Sequence, residues 1–375
     1  MRVGLIIYGD LDTVTGGYLY DRRLVEHLRA CGDSVQLFSL PPRGYLRSLA
    51  DNLSSDLARR VCAAQLDVLL EDELNHPSLF AQRRRLQRCA RPRVAIVHHL
   101  RASEPSAPAA RALARALERR YLAGVDGFVF NSQTTRRSVE ALVGDSRPHV
   151  VATPGGDRFR ARLTPQQIEA RARAPGPLRL LFVGAVVPRK GLHVLLRALR
   201  DLPPGTWTLA VAGDPGRAPA YSAALRSQVQ AAGLAERVRF LGHLTDAELE
   251  GWLARSHALA VPSLYEGFGI AYLEAMRFGL PCLAGAAGGA PEVVLDGQTG
   301  ACLPPGDARA LVGWLARLAS DRALLARMSL AAYRHARSRP GWAETGEAVR
   351  AFLVEQTRSA RDRRQPAHNP HLSSA

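Results

Sequence analysis

The sequence predicts an α/β protein of two Rossmann-like, doubly wound parallel-sheet domains facing one another across a cleft. Three observations lead there. Short apolar runs alternate with helical segments, the pattern of strands joined by crossover helices. The alternation occurs twice, once on each side of a polar, Arg/Ala/Pro-rich stretch at 163–177. Finally, 375 residues suffice for two domains, each with its own core.

In the first set, Arg2–Tyr8, Ser34–Leu40, Arg93–Val97, Gly127–Phe130 and residues 149–153 read as short apolar strands, with helical segments such as 18–30 between them. In the second, Leu178–Val183, Trp207–Ala212, 238–241, Ala258–Val261 and 281–284 read as strands. The helix Leu192–Arg200 is amphipathic, with apolar residues at 192, 195, 196 and 199. Residues 163–177 are the expected linker, which gives a first domain over 1–165 and a second over 178–339. A further helix is expected over 340–356, and the polar, Pro-containing tail 357–375 reads as disordered.

Composition narrows the class. With 47% apolar and 22% charged residues the chain is globular. No apolar run approaches the roughly 20 residues that span a bilayer, and the first strand begins at once, without the pattern of a secretion signal. Cys31, Cys62, Cys89, Cys282 and Cys302 are odd in number and scattered, without a CxxC pair. They are expected to be reduced thiols of a cytoplasmic protein, neither disulfides nor zinc ligands. The net charge of +16 asks for a partner. Eleven arginines crowd residues 83–120 (83, 84, 85, 88, 91, 93, 101, 111, 115, 119 and 120) against Glu104 and Glu118. Two expectations follow: a solvated Arg-rich surface, or peripheral contact with an anionic inner-membrane face that brings a lipid-linked acceptor within reach. A nucleic-acid-binding protein is the alternative from another class. Nucleic acid is not the expected partner, because no binding motif occurs and aromatic content is only 6%.

The most informative segment is Ser263-Leu264-Tyr265-Glu266-Gly267-Phe268-Gly269-Ile270, continuing to Glu274 and Met276. A buried strand runs into a glycine loop and then a helix starting near Gly269 and ending at Gly279-Leu280-Pro281. That layout presents the amides of Gly267, Phe268, Gly269 and Ile270 at a helix N-terminus, which favours phosphate or sugar oxygens. Glu266 lies in the loop and Glu274 one turn into the helix, so the two acids hold opposite ends of one elongated ligand. A sugar joined through two phosphates to a nucleoside fits.

A second segment points the same way. Of 50 Lys+Arg, Lys190 is the only lysine, and it follows the strand and Gly184 in Pro188-Arg189-Lys190-Gly191. A compact ammonium at a strand-to-helix loop suits a leaving diphosphate, and Arg189 adds a guanidinium fork.

With these motifs the chain resembles family-4 retaining glycosyltransferases, which have the GT-B fold. The matching residues include Phe182-Val183-Gly184, Arg189-Lys190-Gly191, Val211-Ala212-Gly213-Asp214, Val238 to Gly242, Ser263 to Met276, Gly279-Leu280-Pro281, Gly288 to Val294 and Gly297 to Gly300. The first half matches through Gly16-Gly17, Val97-His98, Asn131-Ser132 and Pro154-Gly155. The resemblance implies that Glu274 binds donor ribose, that Glu266 and the following amides hold the sugar, and that Lys190 and Arg189 hold the diphosphate. It also implies that Gly242 and His243 line the base, that Gly16 and Gly17 sit near the phosphates, that His98 faces the transferred sugar, and that the helix at 340–356 crosses back onto the first domain. The family commonly has arginine directly after the glycine at 184; here Ala185 stands there.

The implied activity is retaining transfer of a hexose from a nucleotide-diphosphate sugar, UDP- or GDP-linked, to a hydroxyl of a sugar, lipid or small molecule, on the same face. His98, Lys190 and Glu266 are the catalytic candidates, and no cofactor is expected. The first loop lacks the G-x-G-x-x-G of dinucleotide binders, there is no Walker A motif, and no close acid pair follows a strand to hold a metal, so metal independence is expected. Within enzymes the alternative is a sugar-nucleotide epimerase or hydrolase on the same fold.

Overall fold

The computed structural model describes residues 1–90, 92–144 and 147–363; Arg91 of the arginine cluster lies outside them. Among the described residues are two six-stranded sheets, every pairing parallel. The first holds β1 (Arg2–Tyr8), β2 (Ser34–Leu40), β3 (Val68–Asp72), β4 (Arg93–Val97), β5 (Gly127–Phe130) and β6 (His149–Val151), in the order β2-β1-β3-β4-β5-β6. The second holds β7 (Leu178–Val183), β8 (Trp207–Ala212), β9 (Val238–Gly242), β10 (Ala258–Val261), β11 (Cys282–Gly285) and β12 (Gly300–Leu303). Their order is β12-β11-β10-β7-β8-β9. Helices cover both faces, which is why the central strands are mostly apolar rather than alternating. Chain order reverses between β1 and β3 in one sheet and between β7 and β10 in the other. At such points the loops leaving the strand ends part and open a crevice.

Four sequence expectations change. Strands β3 and β12 join the sheets although neither was expected. Residues 163–177 are not a linker: Pro165–Arg173 is a helix, opened by a capping box in which Thr164 and Gln167 bond reciprocally at 3.3 and 2.8 Å. Its Ile168 is 0% exposed, the helix packs on Arg322–Arg337, and Arg171 donates to the carbonyls of Ala254, Phe278 and Gly279. The five thiols are not all free, because Cys62 and Cys89 form a disulfide between the helices Asp56–Ala63 and Arg83–Cys89. Their 27-residue separation gave no hint that these helices pack together. Finally, residues 357–362, expected in a disordered tail, are helical. The last helix runs Trp342–Asp362 because Gln356, Thr357 and Ala360 are still buried; residues 364–375 lie outside the described residues.

That last helix returns to the first sheet. It packs on the helix Gly16–Ala30, and Val349, Phe352 and Leu353 enter the core beneath β1, β3 and β4. Asp157 accepts from the Trp342 amide at 2.9 Å, and Arg350 reaches Asp33 at 2.8 Å. No helix among the described residues is long and apolar enough to cross a membrane.

Candidate functional site

The reversal between β7 and β10 brings together side chains 76 residues apart in sequence. Lys190 follows β7 and Glu266 follows β10, and Lys190 Nζ meets Glu266 Oε1 at 2.6 Å. Ser263 Oγ donates to the same oxygen at 2.6 Å. Burial alone would raise the Glu266 carboxyl, but Lys190 and then Arg189 hold it below its ordinary range. Burial also lowers the Lys190 ammonium, an effect that Glu266 only partly offsets. Lys190 keeps 18% of its side chain exposed, so the pair stands at a surface rather than sealed in the core.

Arg189 bridges to the first half. Its Nε lies 3.0 Å from Glu104 of the first half, its NH1 donates to the Tyr265 carbonyl at 2.8 Å, and Glu266 Oε2 is 3.7 Å away. Glu104 also meets His99 Nε2 at 2.9 Å. The guanidinium therefore ties the halves together through its Nε and NH1.

The loop after Glu266 keeps its donors unused. The amides of Gly267, Phe268, Gly269 and Ile270 donate to no group among the described residues, and they precede the helix Ile270–Arg277. The Phe268 side chain itself is core, 2% exposed, which leaves only its amide as a potential contact. One turn on, Glu274 is 5% exposed and its Oε1 has no hydrogen bond. Arg158 NH1 stands 3.7 Å away, held by its own pairing with Asp246. Burial, only partly offset by Arg158, pushes the Glu274 carboxyl up to about 7. A buried oxygen without a donor is uncommon in folded proteins, and a ligand hydroxyl would satisfy it.

The first half closes over this loop. Gly16 and Gly17 open the helix Gly16–Ala30, capped by Thr15 Oγ1 accepting from the Tyr18 amide. A Cβ on Gly17 would lie 3.1 Å from the His98 ring, and one on Gly16 would lie 3.6 Å from Ile270 at the start of the facing helix. Gly267 packs so closely on the His98 carbonyl that a Cβ there would sit 2.2 Å from the oxygen, so only glycine fits. Asn131 Nδ2 donates to that carbonyl at 2.8 Å, and Ser132 Oγ donates to the Gly267 carbonyl at 3.0 Å. Glu292 accepts from the amides of Gln133 and Thr134 at 2.9 and 2.6 Å, capping the helix Gln133–Val143 from across the cleft. Gly242 ends β9 and His243 is exposed beside it; neither bonds to Lys190, Glu266 or Glu274. Asp214 caps its own loop through the Gly216 amide at 2.7 Å.

Comparison with known proteins places this geometry. Residues 164–335 match the family of glycosyl transferases group 1. A D-inositol 3-phosphate glycosyltransferase of Streptomyces avermitilis is 32% identical over 273 residues, 70% of this chain and 58% of that protein. A GDP-mannose-dependent alpha-(1-6)-phosphatidylinositol monomannoside mannosyltransferase of Mycolicibacterium smegmatis is 32% identical over 265 residues, 66% of this chain and 67% of that protein. The chain belongs to the group 1 glycosyl transferases. Its fold is shared with sucrose-phosphate synthase of Thermosynechococcus elongatus, at TM-score 0.75 and 21% identity over 96% of this chain and 98% of that one. HepE of Anabaena, solved with UDP-glucose, matches at TM-score 0.74 and 22% identity over 95% and 100%. Both have the GT-B architecture, as does this group 1 chain.

In this group 1 chain, Ser263, Arg158, Glu104 and Asn131 contribute to the cleft, and Asp21, fully buried, meets His98 Nε2 behind it at 3.2 Å, yet none is a site residue expected from sequence. Ser263 and Asn131 lay inside recognised motifs and were legible there. Arg158, Glu104 and Asp21 carry no local signal, because each meets its partner only through the tertiary fold.

Proposed function

We propose that this chain is a retaining glycosyltransferase that moves a hexose from a UDP- or GDP-linked donor to a hydroxyl of a sugar, lipid or small-molecule acceptor. The observation that carries the proposal is the conjunction around the Glu266 loop: an ammonium, four unused amides at a helix start, and a buried acid oxygen lacking a donor. These groups match the parts of a nucleotide sugar. Ribose hydroxyls donate to Glu274. The diphosphate meets Lys190 and the loop amides, whose positive ends are fixed before reaction and stabilise the leaving group as its charge grows. Accepting that charge without a cation of its own is within reach of these groups, so turnover is proposed to be metal-independent. Glu266 orients Lys190 and the sugar, and no carboxylate is placed as a covalent nucleophile. Same-face transfer, with the departing phosphate taking the acceptor proton, follows. The mannosyltransferase relative is named for GDP-mannose and HepE was solved with UDP-glucose, which makes these the first donors to try. Peripheral membrane contact through the exposed arginines of Arg83–Cys89 and Pro108–Leu122 is proposed for a lipid-linked acceptor.

Thermal-shift screening with UDP-, GDP-, ADP- and dTDP-sugars tests the donor site, and Glu274→Ala should abolish the stabilisation. NMR of the product's anomeric configuration and assay in EDTA test retention and metal independence. No stabilisation by any nucleotide sugar would overturn the proposal, and donor consumption without an acceptor would favour an epimerase or hydrolase.

A further inference from the structure

Behind the Gly16–Gly17 turn lies a group of buried charges in which the candidate His98 meets two acids. Asp21 stands on the helix Gly16–Ala30, Asp72 ends β3 and His98 follows β4. A carboxylate oxygen from each acid and a ring nitrogen of His98 lie within 4.8 Å of one another. Asp21 and Asp72 are both 0% exposed, and Asp21 Oδ2 and Asp72 Oδ2 have no hydrogen-bond partner. His98 Nε2 lies 3.2 Å from Asp21 Oδ1, while one Asp72 oxygen accepts from the Leu74 amide at 2.9 Å. Two charged carboxylates cannot persist this close in a dry interior. A proton on one of them, together with a cationic ring, leaves the group near neutrality.

We propose that Asp21 is the positioning residue of His98, holding its ring as an imidazolium, with Asp72 as the member of the acid pair that takes up a proton first. The surroundings favour that distribution. Burial alone would lower His98, but Asp21, then Asp72 and Glu73, outweigh it and push the ring up to about 9. Burial raises Asp72 to about 7, with Asp21 adding to the rise. The groups facing the cluster from each packed element are acids and phenols. Glu73 accepts from the His98 amide at 2.8 Å, and Glu118 acts on Glu73. Tyr20 presents its ring edge to His98 at 5.3 Å, and Tyr8 and Tyr18 lie near Asp72. From the second half, Gly267 brings only backbone, and Arg217 acts on Tyr18.

The consequence bears on the cleft. With Nε2–H given to Asp21, the imidazolium keeps Nδ1–H as a donor, and Nδ1 makes no hydrogen bond among the described residues. Gly17 packs against the Cδ2 side of the ring, where a Cβ would lie 3.1 Å away. His98 then supplies a fixed cation on the first-half wall, complementing Lys190 on the second. Its use in sugar transfer rests on the proposed function; its charge state does not.

The test uses full-length protein with 15N-labelled histidine, the His98 signals being assigned by their loss in His98→Gln. The expected result is both ring nitrogens of His98 protonated at neutral pH. Asp21→Asn should lower its titration midpoint by roughly 1–3 pH units, and Asp72→Asn, which removes the smaller contribution, should lower it by distinctly less. A wild-type midpoint at or below that of free histidine overturns the assignment, and this measurement stands even if Asp21→Asn does not fold. So does a midpoint indifferent to Asp21→Asn, or one that falls equally in Asp72→Asn. Calorimetry with UDP-glucose and GDP-mannose on the same proteins separates the two ideas. An Asp21-dependent imidazolium in a chain that binds neither sugar nucleotide sustains the pair and counts against the transferase proposal.

Discussion

At the scale of single residues, the charge of Glu274 is a variable near neutrality, because burial holds its carboxyl up at about 7. Raised above its unfolded value, the group adds stability at acid pH and loses that contribution as pH climbs through about 7. Ligand hydroxyls favour the anion, so the sign for binding is opposite. Affinity for the preferred nucleotide sugar should rise by up to about tenfold per pH unit between about pH 6 and its plateau above pH 7. Calorimetry would show this, and Glu274→Gln should flatten the profile; a wild-type affinity that is flat across the range would count against the ribose assignment. Lys190 leads to a second expectation. Replacing it by Ala leaves Glu266 without its 2.6 Å partner and removes preorganised charge at the leaving group. Turnover should fall by roughly 100-fold or more, with less effect on donor KM. Lys190→Arg should not restore it, since a planar fork cannot occupy the place of a compact ammonium between Glu266 and Gly184. Equal kcat in wild type and Lys190→Ala would remove Lys190 from the mechanism.

Among the elements, β3 shows how a strand escapes notice. Its residues Val68–Asp72 end in two acids and Glu73 follows, a run that in isolation reads as solvated surface. In the sheet, Arg93 at the start of β4 meets Glu71 with two parallel bonds of 2.7 and 3.0 Å and adds a third to the Gly124 carbonyl. Both side chains are essentially unexposed, at 1% and 0%. Removing one partner of such a pair strands a charge in the core. Glu71→Gln should therefore cost about 3–5 kcal/mol in denaturant unfolding. The double replacement Glu71→Leu with Arg93→Met should recover most of that loss, and a single mutant no less stable than the wild type would contradict the account. The helix Pro165–Arg173 was, by contrast, open to detection. Thr164-Pro165-Gln166-Gln167 is a capping-box signature, but its Arg/Ala composition concealed that Ile168 and Ala172 seal a face against Arg322–Arg337.

Across the whole molecule, the two halves are joined by charge and hydrogen bonds rather than by one shared core. Glu292 caps the facing helix Gln133–Val143, Arg189 reaches Glu104, Ser132 reaches Gly267, and the returning helix Trp342–Asp362 clasps the first sheet. A cap of this kind is worth about 0.5–2 kcal/mol, enough to bias an open–closed equilibrium without deciding whether either half folds. Glu292→Ala should give a larger radius of gyration in solution scattering and weaker donor binding, at nearly constant thermal midpoint. Scattering identical to the wild type would show that the latch does not hold the cleft.

The sequence alone determined the two-sheet α/β class, most of the strands, and the Lys190, Glu266 and Glu274 motifs, because hydrophobic period and glycine-bearing strand ends are local properties. Only the tertiary structure decided that Lys190 and Glu266 touch, that Arg189 reaches Glu104, that Cys62 and Cys89 pair, and that Asp21 stands behind His98. Each of these joins residues from separate elements, and pairing at a distance is set by how sheets order and helices pack.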